Sequence, residues 1–308
     1  MYSHNAKFGI SDKKVLILVF TKSNTNAMKR VTLTSLAVML VCSLQAQQSF
    51  VSEKLTKKWE TPAVLNVPES VCLDAERNVL YVSNVAGTPL EKDGIGFISK
   101  VSPDGQVLAI DWVKGLNAPK GLGISGNFLY VSDISRVVKI DILLGKITGE
   151  VEIPGSEFLN DIATDPAGNV YVSDMNGNAI YLVKEGKFEL LAKSDKLNGP
   201  NGLFVAGNLL LVGLQDRVVS IDLKTREIKD YILNTGGIDG IVPDGTGNYL
   251  ISDWSGHIHL IHPKKDKVLL LDTTPSGIHA ADIEYMISKK LLLVPTFSDN
   301  RVVAYELK

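Results

Sequence analysis

An all-β, radially repeated fold follows from three features of this 308-residue chain. One phrase recurs six times at a period of about 40 residues, which is the spacing of propeller blades. Each copy carries alternating runs rich in β-branched and aromatic residues, the composition and period of strands. A helix pattern of any length is absent. Together these predict a six-bladed β-propeller, all-β, as a single domain over residues 47–308.

The N-terminal segment is set apart from that domain. Met28-Lys29-Arg30 opens a short basic region, residues 31–44 are apolar, and Gln45-Ala46-Gln47 follows. Residues 28–46 therefore read as a signal peptide, and the apolar stretch is short for a membrane span. Val41 before Cys42 fits a lipoprotein signal badly. Residues 1–27 read as an over-extended N-terminus ahead of Met28, or as part of one long targeting segment. The expectation is an exported protein, periplasmic or secreted, with no membrane contact after signal removal. Past the signal only Cys72 remains, so no internal disulfide forms there. In the run Val71-Cys72-Leu73 it is expected to be a buried, inert thiol.

The six copies begin at Pro68-Glu69-Ser70-Val71, Pro119-Lys120-Gly121-Leu122, Leu159-Asn160-Asp161-Ile162, Pro200-Asn201-Gly202-Leu203, Ile238-Asp239-Gly240-Ile241 and Ala280-Ala281-Asp282-Ile283. A second strand follows in each, denser in apolar residues, as in Leu80-Tyr81-Val82 and Val170-Tyr171-Val172. A third alternates well, as in Arg217-Val218-Val219-Ser220-Ile221. Turns such as Asp165-Pro166-Ala167-Gly168-Asn169 supply the positive φ and local side-chain bonds that tight reversals need. The first copy is longer by a Gly/Pro/charged loop at residues 86–96, the kind of insertion that maps to a binding face. The sixth copy lacks a fourth strand, and residues 50–60 are expected to supply it, closing the ring with an N-terminal outer strand.

Innermost strands of a propeller run along its axis, so the second residue of each copy stands at the channel mouth. The series is Glu69, Lys120, Asn160, Asn201, Asp239, Ala281. Glu69, Asn160, Asn201 and Asp239 are hard oxygen ligands, suited to one divalent cation: Ca2+ first, with Mg2+, Mn2+ or Zn2+ as alternatives. The ring has no histidine or cysteine, which argues against a closed structural zinc site. An open metal position polarises a carbonyl and acidifies bound water.

These motifs resemble the metal-binding positions of the regucalcin/gluconolactonase (senescence marker protein, paraoxonase-like) family, whose propeller diisopropylfluorophosphatase shares. The resemblance covers about residues 50–308. It implies Glu69, Asn201 and Asp239 as direct ligands, Asn160 as a ligand or a substrate and water contact, and Asp239 also as base. Two positions depart from the family. Glu69-Ser70-Val71 replaces Glu-Gly-Pro, and Phe158 stands where sugar-lactone members often carry arginine. A more apolar substrate wall at Phe158 is expected in place of a sugar-acid contact.

Lys120, on the ring, is a candidate for an anionic or carbonyl oxygen, and His279, two residues before Ala281, a candidate acid or base. His257, His259 and His262 lie on a third strand and are expected at the surface. The net charge of −2 gives no field for nucleic acid. The function expected is metal-dependent hydrolysis of a lactone or related ester by a monomer acting on a small molecule. The alternatives are an NHL-like binding propeller without catalysis and a retained site that serves stability alone.

Overall fold

The computed structural model describes residues 49–308. The signal peptide, the Met28 start and Cys42 lie outside the described residues. Among the described residues no helix is long and apolar enough to cross a membrane.

Six antiparallel sheets form the six blades of a propeller. Blade one is Pro68–Asp74, Val79–Asn84, Gly96–Val101 and Val107–Leu116, from the axis outward. Blade two is Pro119–Ser125, Phe128–Asp133, Arg136–Asp141 and Lys146–Glu152. Blade three is Leu159–Thr164, Val170–Asp174, Ala179–Lys184 and Lys187–Lys193. Blade four is Leu203–Ala206, Leu209–Gly213, Arg217–Asp222 and Ile228–Leu233. Blade five is Ile241–Pro243, Tyr249–Ser252, His257–His262 and Lys265–Asp272, and the short strand Phe50–Val51 adds a fifth member outside it. Blade six is Glu284–Met286, Leu291–Pro295 and Val302–Leu307, completed by Leu55–Glu60.

The closure is therefore the one the sequence predicts. Leu55 pairs with Leu307 and Glu60 with Val303, and Leu55 buries its side chain among Leu271, Leu292 and Tyr305. Pairing removes an unpaired edge from blade six.

The core is divided rather than central. Six apolar clusters sit at the six blade-to-blade contacts. The one between blades one and two joins Ile98 and Leu116 to Leu129 and Ile140. The one that closes the ring joins Leu293 and Val302 to Val71 and Leu80. Each fully buried Leu or Ile contributes about 1.5–3 kcal/mol, so the ring is held by its faces. Cys72 is half-buried rather than sealed in, and burial pushes its thiol well above the usual range.

Near the axis the blades approach more closely than side chains allow. A Cβ on Gly121 would lie 2.5 Å from Asp161 Cα, and one on Gly202 would lie 2.6 Å from the Asp239 carbonyl. Glycine at these two positions lets the next blade's backbone pass directly over it.

Candidate metal centre in the channel mouth

The ring residues are aimed by a repeated local device. In blades one, two and three the pairing of the two inner strands skips between Pro68 and Val71, Pro119 and Leu122, and Leu159 and Ile162. Such bulges re-aim a side chain. Here they turn Glu69, Lys120 and Asn160 to the axis. In blades one and three a serine of the second strand takes the N–H that follows the ring residue, and blade five, without a skip, has the same bond. Ser83 Oγ accepts Ser70 N at 2.9 Å, Ser173 Oγ accepts Asp161 N at 2.9 Å, and Ser252 Oγ accepts Gly240 N at 2.8 Å. Serines at this place also reach onward: Ser132 donates to the Asn160 carbonyl and Ser252 to the Ala281 carbonyl, each in the next blade.

The following aspartate has a second task. Asp133 accepts Asn117 N and Ala118 N, and Asp174 accepts Glu157 N and Phe158 N. Both thereby fix the loop just ahead of Lys120 and Asn160. Strain gathers at the same rim. Val67, Ile134 and Phe297 hold φ of 57°, 62° and 47°, a region that bulky side chains rarely occupy.

Glu69, Lys120, Asn160, Asn201 and Asp239 all line one cavity of about 520 Å³, with Phe158 on its wall. Ala281 is buried in the sixth position. Asn201 Nδ2 donates to Asp239 Oδ1 at 2.7 Å. Two oxygens on this wall, Glu69 Oε2 and Asn201 Oδ1, are buried with no hydrogen-bond partner. Among the described residues no cluster of three or more His, Cys, Asp or Glu side chains forms a metal centre. The candidate set differs in kind, since two of its four members are amides.

The electrostatics are those of carboxylates withdrawn from water. Burial pushes Glu69 well above its usual value, Asp239 and Asp282 push it further, and Lys120 opposes. Asp239 is pushed up to about 7, chiefly by burial, with the Asn201 bond opposing and Asp253 adding to the rise. Burial brings Lys120 down to about 8, against the pull of Glu69 and Asp133. A divalent cation would offset both carboxylate charges and supply a partner for both orphaned oxygens, so the donors present fit such an ion.

Lys120 is not on an open rim. It is buried, donates to the Pro89 and Ala118 carbonyls at 2.9 and 3.0 Å, and lies 4.5 Å from the Phe158 ring centre. The inserted loop at residues 86–96 thus contributes Pro89 to the cavity wall. His279 stands elsewhere than expected. Its Nδ1 donates to the Trp254 carbonyl at 2.7 Å and its ring stacks 4.5 Å from that of Trp254, so it backs the wall without lining the cavity. The Trp254 carbonyl draws the imidazole away from the mouth.

His257 also departs from expectation. It is half-buried, and its Nδ1 lies 2.8 Å from Asp253 Oδ2, a carboxylate on the cavity wall. Sequence reasoning passed over Asp253, Met175, Trp254 and Phe297, which also line the wall. All four follow second strands, and Asp253 holds the same place in its blade as Asp133 and Asp174, which was the available signal.

No protein-family model matches the chain, and no curated protein matches it either. Solved structures do resemble it. A catalytically inactive variant of virginiamycin B lyase from Staphylococcus aureus, with quinupristin, is 14% identical over 85% of this chain and 100% of that one, with a TM-score of 0.58. Streptogramin B lyase is 12% identical over 86% and 100%, with a TM-score of 0.60. A chain of the nidogen/laminin complex is 19% identical over 67% and 83%, with a TM-score of 0.55. At such identities the likeness is one of architecture, and it places this chain among the β-propellers.

Proposed function

We propose that this protein is a divalent-cation-dependent hydrolase of a lactone or related ester, working in the cavity at the channel mouth. The observation that carries the reading is the pair of buried, unpartnered oxygens, Glu69 Oε2 and Asn201 Oδ1, on one cavity wall. Leaving such groups unpaired costs about 1–3 kcal/mol each, more for charged ones. A fold that keeps two of them beside a second carboxylate, Asp239, supports a ligand that needs them.

Glu69, Asn201 and Asp239 would hold the cation, with Asn160 as a fourth ligand or a substrate contact. Ca2+ suits an all-oxygen set; Mg2+, Mn2+ or Zn2+ would also be taken by carboxylates. The bound ion would polarise an ester carbonyl and acidify water. Asn201 orients Asp239 through its amide N–H. Lys120 holds an ammonium beside the ring, where negative charge growing on a carbonyl oxygen would be stabilised. Phe158 and Trp254 present aromatic surface that excludes water and receives an apolar part of the substrate. His279 holds Trp254 in place. Two fold neighbours are lyases by name, which supports a catalytic use of this architecture over a passive scaffold.

The test is to strip cations with a chelator, restore each singly, and follow aryl esters and lactones in 18O water. Hydrolysis requires cation-dependent turnover and one labelled oxygen in the product acid. Ring opening without label would replace hydrolysis by elimination. Tight Ca2+ binding with no turnover would favour the binding propeller.

A further inference from the structure

We infer that Asp253 is the carboxylate that takes the proton from the attacking water, and that His257 is its positioning residue; this rests on the hydrolase reading above. Three aspartates close the second strands of blades two, three and five. Asp133 and Asp174 are fully buried and accept main-chain N–H groups of the loop ahead of the ring residue; Asp133 also pairs with Arg136 at 2.8 Å and Asp174 accepts Gly177 N. Asp253 is released from that duty. No N–H of residues 235–238 donates to it; Thr235 N goes to the Asp216 carbonyl and Ile238 N to the Leu214 carbonyl. Its side chain keeps 24% exposure and lines the cavity.

What Asp253 has instead is an imidazole behind it. Oδ1 accepts Gly256 N at 3.1 Å and His257 N at 3.2 Å, and Oδ2 lies 2.8 Å from His257 Nδ1. On the far side His257 Nε2 is 3.6 Å from Asp272 Oδ1. Held between two carboxylates, the imidazole fixes the Asp253 side chain where it faces the cavity. The charged groups facing this pair are Asp239 on the ring, Asp272 on the outer strand, and His259, whose ring centre is 5.9 Å from that of His257 and which is itself near Lys267. In the proposed site Asp239 lies against the cation, and Asp253 is a further carboxylate on the same cavity wall.

The step balances without a further reagent. The water oxygen bonds to the acyl carbon and its proton passes to Asp253. The C–O bond to the leaving alcohol breaks, and the same proton goes to the leaving oxygen. Acid and alcohol depart and the Asp253 carboxylate is regenerated.

The experiment compares the wild-type protein, Asp253→Asn, His257→Gly with and without added imidazole, and His262→Gln as a control, using whichever ester or lactone the wild type turns over. Asn keeps an oxygen for Gly256 N, so Asp253→Asn is expected to melt like wild type. The expected result is a fall in kcat of about 10²–10⁴-fold in Asp253→Asn, with KM and Ca2+ affinity kept. In His257→Gly kcat should fall, because Asp253 loses the ring that holds it, and added imidazole should restore part of the rate. The 15N signal of His257 Nδ1 should move in Asp253→Asn, a readout that needs no turnover. Wild-type kcat in Asp253→Asn overturns the inference alone. Loss of Ca2+ binding in that variant makes Asp253 a ligand and overturns it too. No turnover by the wild type with any cation sinks the hydrolase reading and this inference with it.

Discussion

Asn201 donates its amide N–H to Asp239 across a blade boundary at 2.7 Å, and the bond decides what the rest of the amide can do. With Nδ2 engaged, Oδ1 is left buried and unpartnered on the cavity wall. Asn201→Asp would place two carboxylates where one now accepts a bond, and should raise both apparent pKa values and weaken the apo fold.

Removal of either ring carboxylate is expected to abolish tight cation binding. Glu69→Gln and Asp239→Asn each keep shape and hydrogen bonding but delete one charge. Calorimetric titration with Ca2+ should show affinity reduced by about 100-fold or more, as expected when a hard cation loses a carboxylate from a low-charge site. Unchanged affinity in both variants would exclude the ring as the cation site.

Cation-free protein should lose stability as pH rises. Asp239 is pushed up to about 7, so between about pH 4 and 7 the folded state holds a proton that the unfolded chain has released. The stability this lends is fully present below the unfolded value and disappears as pH climbs through the folded one. The span corresponds to at most on the order of 4 kcal/mol. Melting in chelator at pH 5 and pH 8 should show a higher Tm at pH 5. Saturating Ca2+ should shrink the difference, because the ion favours the ionised form.

Lys120→Met separates charge from packing. The buried stem is replaced and the ammonium is lost. Turnover should fall by about 10–1000-fold if the ammonium stabilises developing charge. Ca2+ should bind more tightly, since a buried cation no longer repels it. Equal turnover in the variant would leave Lys120 a structural tie to Pro89 and Ala118.

Gly202→Ala tests the close passage of blades at the axis. Its Cβ would fall 2.6 Å from the Asp239 carbonyl, so strain of about 1–3 kcal/mol and a displaced ring carboxylate are expected. Gly149→Ala, with open space around it, should be tolerated. Thermal melts and Ca2+ titrations of the pair check both points.

The architecture was legible because its signals are local and repeated. Six copies of strand-rich sequence, with the outer strand missing from the last, were enough to place Leu55–Glu60 beside Val302–Leu307. The ring residues were legible for the same reason, since register repeats from blade to blade. The cavity wall was not. Trp254, Met175 and Phe297 come from loops that differ in every blade, and loop shape does not follow from strand period. His279 shows the limit plainly. Its distance in sequence from the ring position was right for the mouth, but a main-chain carbonyl of another blade captured it.

The seam between Leu55–Glu60 and Val302–Leu307 ties some of the earliest described residues to some of the last, with Lys308 N donating to the Lys54 carbonyl at 2.9 Å. During synthesis the opening strand must wait, unpaired, until nearly all of this chain has left the ribosome, while earlier blades stack on one another. Completion of the circle is then a late event of high sequence separation, and substitutions along the seam should govern how long newly made molecules stay open to proteases and to one another.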